Sequence, residues 1–423
     1  MKLITFLGAT TAYETTYVLS DDREHTAPFC GAALARFYPD CDMRVFVTKD
    51  AYDKHWHAFQ PLAEDHVASL LPVPIPDGRD EAQLWQVFQA VVDHVDADEP
   101  VIFDITHGFR SLPFLSFLAA AYLRVVKRIR LEAVLYGNFE ARDTTVTPHR
   151  APVIDMTHFV DLLDWMTAAD RFVRFGDAHD LAQQLRSARP AHQQQQADKA
   201  LQANAVRLGQ AAKALDDVSL ALRLIRPAQA MEASSTLQTR LMDATQGLQA
   251  HARPFIPLTQ PVADAFAPLS LSHADQGRDP VDLLARERRM VFWYLERKQY
   301  VQAMAVAREW IVTWAMMQAA ISPVLDKTLR EEMERTLGHA NRERQAGSGA
   351  FADATLSSGR SLRSIPRIAQ ALKLYEEVGH ARNDLLHAGK RPDPKPADVL
   401  ERMIGSLCQR LNELPLPAGD LAK

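Results

Sequence analysis

The sequence predicts an α/β domain followed by an all-α domain, and three observations carry that prediction. From Leu3 to Tyr136, short apolar, partly β-branched runs alternate with stretches of helical spacing, as in a Rossmann-like parallel sheet covered on both faces. Beyond about Thr157 the strand signals stop, and Ala- and Leu-rich helical patterns replace them. Between the two kinds of pattern, polar glycine-bearing turns directly follow apolar runs, where open α/β sheets bind their ligands.

Taken in order, Leu3–Leu7 is the first strand, closed by Gly8-Ala9-Thr10-Thr11. Pro28–Phe37 is helical, and Met43–Val47 is a second strand followed by Thr48-Lys49-Asp50, read as a loop. Lys49 could reach a ligand from there, although a solvated lysine is the plainer reading. Leu71–Ile75 is a proline-flanked strand, Ala82–Val95 an amphipathic helix, Val101–Phe103 a buried strand and Phe109–Val126 a helix. Leu131–Tyr136 is another strand, with Thr144–Thr147 and Val153–Ile154 as an antiparallel hairpin or edge. Helical spacing then covers Asp161–Arg174, Ala197–Arg223 and Ser235–His251, with the glutamine run Gln193–Gln196 as an exposed helix start or hinge. Pro254, Pro257, Pro261 and Pro268 mark a connecting segment. Val281–Lys298, Tyr300–Ile321, Val324–Leu337, Leu372–Leu386 and Pro396–Leu414 are the closing helices, with Gly347–Gly359 a mobile loop. The expected regions are 1–160, 161–280 and 281–423.

Composition bounds the function. Among 423 residues, 47% are hydrophobic and 24% charged, ordinary for a globular chain with two or three cores. A formal charge of −5 argues against a constitutive, tight nucleic-acid binder, but not against a nuclease that grips RNA in a local groove. Cys30, Cys41 and Cys408 are too few and scattered for a disulfide framework or a zinc site, which points to a reducing cytoplasm. No charged leader precedes the first strand and no apolar stretch nears the length of a bilayer span, so neither signal peptide nor membrane association is expected.

The chemistry concentrates in two places. In VIFDITHGFRSLP, Asp104-Ile105-Thr106-His107-Gly108 breaks a buried strand before a helix, and Gly108 lets a backbone come close. Freed amides and the helix macrodipole favour phosphate there, with Thr106, His107 and Arg110 as added donors. Asp104 fits better as a cap of the turn than as a ligand contact. For His107, a backbone hydrogen bond and a ligand contact stand about even. The Gly8 loop is not a G-x-G-x-x-G fingerprint, so a dinucleotide site is not supported.

The second place is Arg382-Asn383-Asp384-Leu385-Leu386-His387. Asn383 and His387 are i and i+4 on a helix, with Arg382 beside them, so the three can line one groove. A histidine can move a proton near neutral pH, and an arginine can clamp phosphate oxygens bidentately. The plain alternative pairs Arg382 with Glu376, Glu377 or Asp384 on the surface and leaves His387 at a helix end. Glu309 is a further candidate partner for the arginine, and Trp293, Trp310 and Trp314 read as core.

Asp104, Thr106, His107 and Gly108 resemble the D-x-T-H-G motif of a family of CRISPR-associated proteins that join a CARF sensor domain to a HEPN ribonuclease domain. LITFLGAT resembles that family's first strand and loop, and Arg382-Asn383 with His387 matches R-N-x-x-x-H within the looser R-x(4–6)-H of HEPN ribonucleases. The loose form is weak, since Arg142 with His149 and Arg174 with His179 also satisfy it. The resemblance covers the first 160 residues or so well, the last hundred more loosely, and the middle only by position. It implies an N-terminal CARF domain and a helical HEPN domain that pairs its site across a homodimer or higher oligomer. It implies a metal-independent endoribonuclease acting on single-stranded RNA in type III CRISPR defence. Arg382, Asn383 and His387 would be catalytic. Gly8, Thr10, Thr11, Thr106, His107, Gly108 and Arg110 would bind an activating cyclic oligoadenylate, tetra-adenylate being the expected ring, with no cofactor and no metal. The competing expectation is a cyclic-nucleotide-sensing regulatory protein without nuclease chemistry. A third is a sensor domain that cleaves its own ligand with help from Thr10, Thr11 or Thr106.

Overall fold

The computed structural model describes residues 1–20, 23–108, 111–191, 195, 198–276, 279–346, 356, 358–390 and 394–417. Arg110, most of Gln193–Gln196 and most of Gly347–Gly359 therefore lie outside the described residues. The chain forms two compact units, Met1–Asp164 and Trp165–Lys423.

The first unit is built on an eight-stranded sheet of order β3-β2-β8-β7-β6-β1-β4-β5. The strands are β1 (Lys2–Leu7), β2 (Thr15–Ser20), β3 (Arg23–Ala27), β4 (Asp42–Val47), β5 (Ser69–Pro74), β6 (Pro100–Asp104), β7 (Arg130–Gly137) and β8 (His149–Asp155). Neighbours from β7 to β5 are parallel, β2 is parallel to β8, and β7/β8 and β2/β3 are antiparallel. All six residues of β1 are buried, as its continuous apolar run requires of a central parallel strand. Its side chains alternate: Leu3 and Leu7 pack with α1 (Cys30–Phe37) and α2 (Lys49–Ala63), and Ile4 and Phe6 with α3 (Glu81–Asp93) and α4 (Leu112–Val126). Gly31 lets α1 lie close on β1, because a Cβ there would sit 2.8 Å from Thr5 Oγ1.

Several expected elements change. The β2–β3 hairpin was not expected, because its strands are short, polar and at the sheet edge. Thr48-Lys49-Asp50 is no loop: the Thr48 side chain accepts the Ala51 amide and caps α2, with Asp50 in its first turn. Thr144–Thr147 forms no strand, the one bridge beside it joining Asp143 to Arg150, while β8 begins at His149, four residues before the expected Val153.

The second unit is helical: α5 (Thr157–Phe175, entering from the first unit), α6 (His179–Ser187), α7 (Lys199–Arg223), α8 (Pro227–Asp243), α9 (Thr245–His251), α10 (Ile256–Phe266), α11 (Pro280–Glu296), α12 (Tyr300–Gln318), α13 (Lys327–Gln345), α14 (Ile368–Leu386) and α15 (Ala397–Asn412). Ser235–His251 is divided between α8 and α9, and the proline segment holds α10, started by Pro257 near its N-terminus. One core runs from Trp165 to Leu414. Residues 165–280 share it with the later helices; the Tyr294 hydroxyl of α11, for example, donates to Leu222 O of α7 at 2.7 Å. At the centre lies α12, with Trp310 and Trp314 fully buried, donating to Leu284 O and Pro415 O. Among the described residues, no helix is long and apolar enough to cross a membrane.

Candidate functional site

A cavity of about 650 Å³ opens at the carboxyl ends of β1, β6 and β7. It brings together Gly8, Thr10, Thr11, Thr106 and His107, all singled out in the sequence. Gly108 stands beside it at φ +131°, and a Cβ there would lie 2.4 Å from Leu112 Cδ1, so only glycine fits. A Cβ on Gly8 would approach the Gly108 amide to 3.3 Å, so the two turns meet backbone to backbone.

Most of the turn's polar groups are used internally. Asp104 is fully buried and accepts from the Thr5 hydroxyl at 2.6 Å and the Thr106 amide at 3.0 Å, the capping role expected of it. Thr106 Oγ1 accepts the Gly137 amide at 2.8 Å and ties the turn to β7. His107 Nε2 accepts the Cys30 amide at 3.3 Å, at the first residue of α1. Burial first, opposed by Asp104 and aided by His55, lowers the His107 pKa. A neutral ring that accepts at Nε2 carries its proton on Nδ1, which remains its donor. Both readings of His107 thus hold at once: it bonds the backbone and lines the cavity. Burial, followed by the charge of Asp104, keeps the neighbouring Cys30 a thiol.

Among the described residues, the helix start that borders this cavity is that of α1, through Pro28 and Phe29; Phe109 and Arg110, where the sequence placed the start of the next candidate helix, lie outside them. The N-cap residue Phe29 offers no side-chain cap, His107 takes the first amide of α1, and the helix macrodipole favours an anion there. Among the described lining residues there is no lysine or arginine, and Glu140 adds a carboxylate. Lys49 lies instead on a separate cavity of about 410 Å³ with Tyr52 and Pro72. Aromatic residues that the sequence reading missed also line the site. Tyr13 and Phe139 stack at 5.9 Å between centroids with 16° between planes, and the Arg142 guanidinium lies 4.0 Å from the Phe139 ring centre. The signal for Phe139 was its place two residues after the end of β7.

In the second unit, Arg382 and Asn383 lie half-buried in the last turns of α14, with exposed His387 as its C-cap. The surface pairs considered for Arg382 do not form. Glu376 is taken by Arg344 and Gln345, Glu377 by Arg410, and Asp384 by the Lys395 amide. Among the described residues, the side chains of Arg382, Asn383 and His387 have no hydrogen-bond or ion-pair partner. Glu309 does not pair with Arg382 either; it holds Arg308 at 2.7 Å and Arg330 at 2.9 Å. Among the described residues, no group of three or more His, Cys, Asp or Glu could hold a metal ion.

Residues 161–270 match the family described as CRISPR-associated protein MJ1674, second domain. CRISPR-associated protein MJ1674 of Methanocaldococcus jannaschii is 24% identical over 111 residues, 26% of this chain and 17% of that protein, so the match spans about a sixth of the relative. Enterococcus italicus Csm6, solved bound to cyclic hexa-2'-fluoro-hexa-dAMP, aligns over 97% of this chain and 92% of its own at 11% identity and a TM-score of 0.42. The first two matches support a CRISPR-associated family.

Proposed function

We propose that the chain is a metal-independent, single-strand-specific endoribonuclease of type III CRISPR defence, activated by a cyclic oligoadenylate. The observation that carries the nuclease half is the set of side chains at the end of α14 that have no partner among the described residues. The carboxylates nearest Arg382 in sequence are committed elsewhere, so its guanidinium is left for an external anion. Cleavage needs the RNA 2′-hydroxyl to attack the adjacent phosphorus, a proton to move, and the phosphorane's charge to be neutralised. His387 moves the proton, Arg382 clamps the non-bridging oxygens, and Asn383 orients the phosphate or the imidazole. Two copies of α14 in a homodimer would supply the composite site. The products are 2′,3′-cyclic phosphate and 5′-hydroxyl ends.

The sensor half rests on the cavity. Hydroxyls and amides of Gly8–Thr11 and the Thr106–Gly108 turn would meet the phosphates, and Tyr13 and Phe139 supply aromatic surface for adenine. The effector acts only through its differential affinity for inactive and active states. The test is cleavage of a fluorogenic single-stranded RNA in EDTA, with cyclic tetra- and hexa-adenylate added separately, for the wild type and His387→Ala. Cleavage that requires one ring and is lost in the variant is expected. Tight ring binding without cleavage would leave a regulatory protein, and a strict requirement for Mg²⁺ or Mn²⁺ would sink the proposed chemistry.

A further inference from the structure

A second basic feature of the helical unit belongs to neither site. One face of α13 carries Arg335, Gly338, His339 and Arg342, spaced so that all four fall on one stripe. Together with Arg308 of α12 and Tyr375 of α14 they line an open cleft of about 650 Å³. Its one lining carboxylate, Glu334, is already held by Arg308 at 2.8 Å. Arg308 also donates to the Tyr375 hydroxyl at 2.9 Å and fixes that ring in the cleft wall. Arg335 and Arg342 are exposed, and among the described residues neither has a carboxylate partner. The Arg335 side chain donates from Nε to Glu331 O at 3.2 Å, within its own helix. Gly338 keeps the middle of the cleft open: the nearest atom to a Cβ there would be Arg342 Nη1, 4.0 Å away.

In a chain of net charge −5, the exposed guanidiniums of Arg335 and Arg342, beside an Arg308 already paired with Glu334 and Glu309, make a local anion seat with an aromatic side. Its placement matters as much as its charge. Tyr375 and Arg382 are i and i+7 on α14, on nearly the same face and roughly 10 Å apart along the axis. Between them lies Gly379, whose Cβ would meet nothing within 4 Å, and the neighbouring Val378 is buried in the core. We infer that the cleft is an accessory seat for the phosphodiester backbone of single-stranded RNA, which runs along α14 from Arg335 and Arg342 towards Arg382 and His387. The inference rests on the nuclease reading above for the direction of the strand.

The test is fluorescence anisotropy of the full chain with a fluorescein-labelled 2′-O-methyl single-stranded RNA, which cannot be cleaved, across a range of salt concentrations. The proteins are the wild type, Arg335→Gln/Arg342→Gln, Gly338→Met and His387→Ala. Glutamine and methionine are good helix formers, so both cleft variants should keep α13 folded. Removing two phosphate contacts should weaken binding about tenfold and make the slope of log K against log salt shallower by roughly 1.4, at about 0.7 per contact on a single strand. Gly338→Met, which keeps every charge but crowds the cleft, should also weaken binding. Wild-type affinity and slope in the double variant, or no RNA binding by the wild type, would overturn the inference. His387→Ala should bind as the wild type does but fail to cleave ordinary RNA. If it still cleaves while the double variant loses binding, the catalytic assignment falls and the cleft stands.

Discussion

Glu287 of α11 is a carboxyl group buried beside the Arg308–Glu309–Arg330 network, with Oε2 lacking any hydrogen-bond partner. Burial, opposed by Arg330 and reinforced by Glu309, pushes its pKa up from 4.5 to about 7. Because the folded value lies above the unfolded one, the cost of ionising Glu287 is absent below about pH 4.5. It grows as pH rises and is complete above about pH 7. A shift of about 2.5 units corresponds to roughly 3 kcal/mol at 1.36 kcal/mol per unit. Glu287→Gln keeps the shape but cannot ionise, so its stability should lack this fall. Urea unfolding followed by tryptophan fluorescence reports mainly on the helical unit, where Trp165, Trp293, Trp310 and Trp314 reside. Between pH 5 and pH 8 the wild type should lose about 2.5 kcal/mol relative to the variant, the rest being lost below pH 5. Parallel pH profiles for the two proteins would show that Glu287 does not fold as a neutral acid and would refute the reasoning.

Three further outcomes follow from the sites. Gly108→Ala forces a side chain onto Leu112 at a positive φ, so calorimetry should show a loss of more than about 1 kcal/mol, with weaker cyclic-oligoadenylate binding in titration. Thr5→Val removes one of the two donors to buried Asp104 and should cost about 1–3 kcal/mol in chemical denaturation, because a buried carboxylate is left short of a partner. Arg382→Ala has no described contact to break, so its melting curve should match the wild type within about 0.5 kcal/mol. RNA cleavage by the same variant should fall by about a hundredfold or more through lost phosphate stabilisation.

What was legible in the sequence was whatever depended on near neighbours. The strands Val101–Phe103 and Leu3–Leu7 announced themselves because a central parallel strand must be apolar on both faces, and the turn after each had to be polar. The β2–β3 hairpin was hidden because its position depends on β8, whose residues pair with β2 from more than a hundred positions away. The start of α2 was misread because Thr48-Lys49-Asp50 has the composition of a loop; only the bond from the Ala51 amide to the Thr48 hydroxyl marks it as a cap. Pro257 looked like a break, yet a proline in the first helical turn removes an amide that no helix bond needs; Pro261 lies inside the same helix. The freedom of Arg382 was equally hidden, because Glu376 and Glu377 are claimed by Arg344 and Arg410 from other helices. The middle of the chain, where the family resemblance rested on position alone, is where the match to the CRISPR-associated second-domain family falls, at residues 161–270.

The D-x-T-H-G run reads as a ligand-binding signature, but the structure spends it largely on scaffolding. Asp104 fastens β1 to the turn through Thr5, Thr106 fastens β7 through Gly137, His107 fastens α1 through Cys30, and Gly108 supplies a conformation no other residue adopts cheaply. Each of these bonds joins the turn to a different element around the cavity. With no lysine or arginine among its described lining residues, the cavity offers an anion amides, hydroxyls and the start of α1. On the proposed reading, such a preorganised site would pay little reorganisation on binding, and a ring seated on the turn would pull on β1, β7 and α1 together. Discrimination among nucleotide rings would then fall to Tyr13 and Phe139, which the motif does not include.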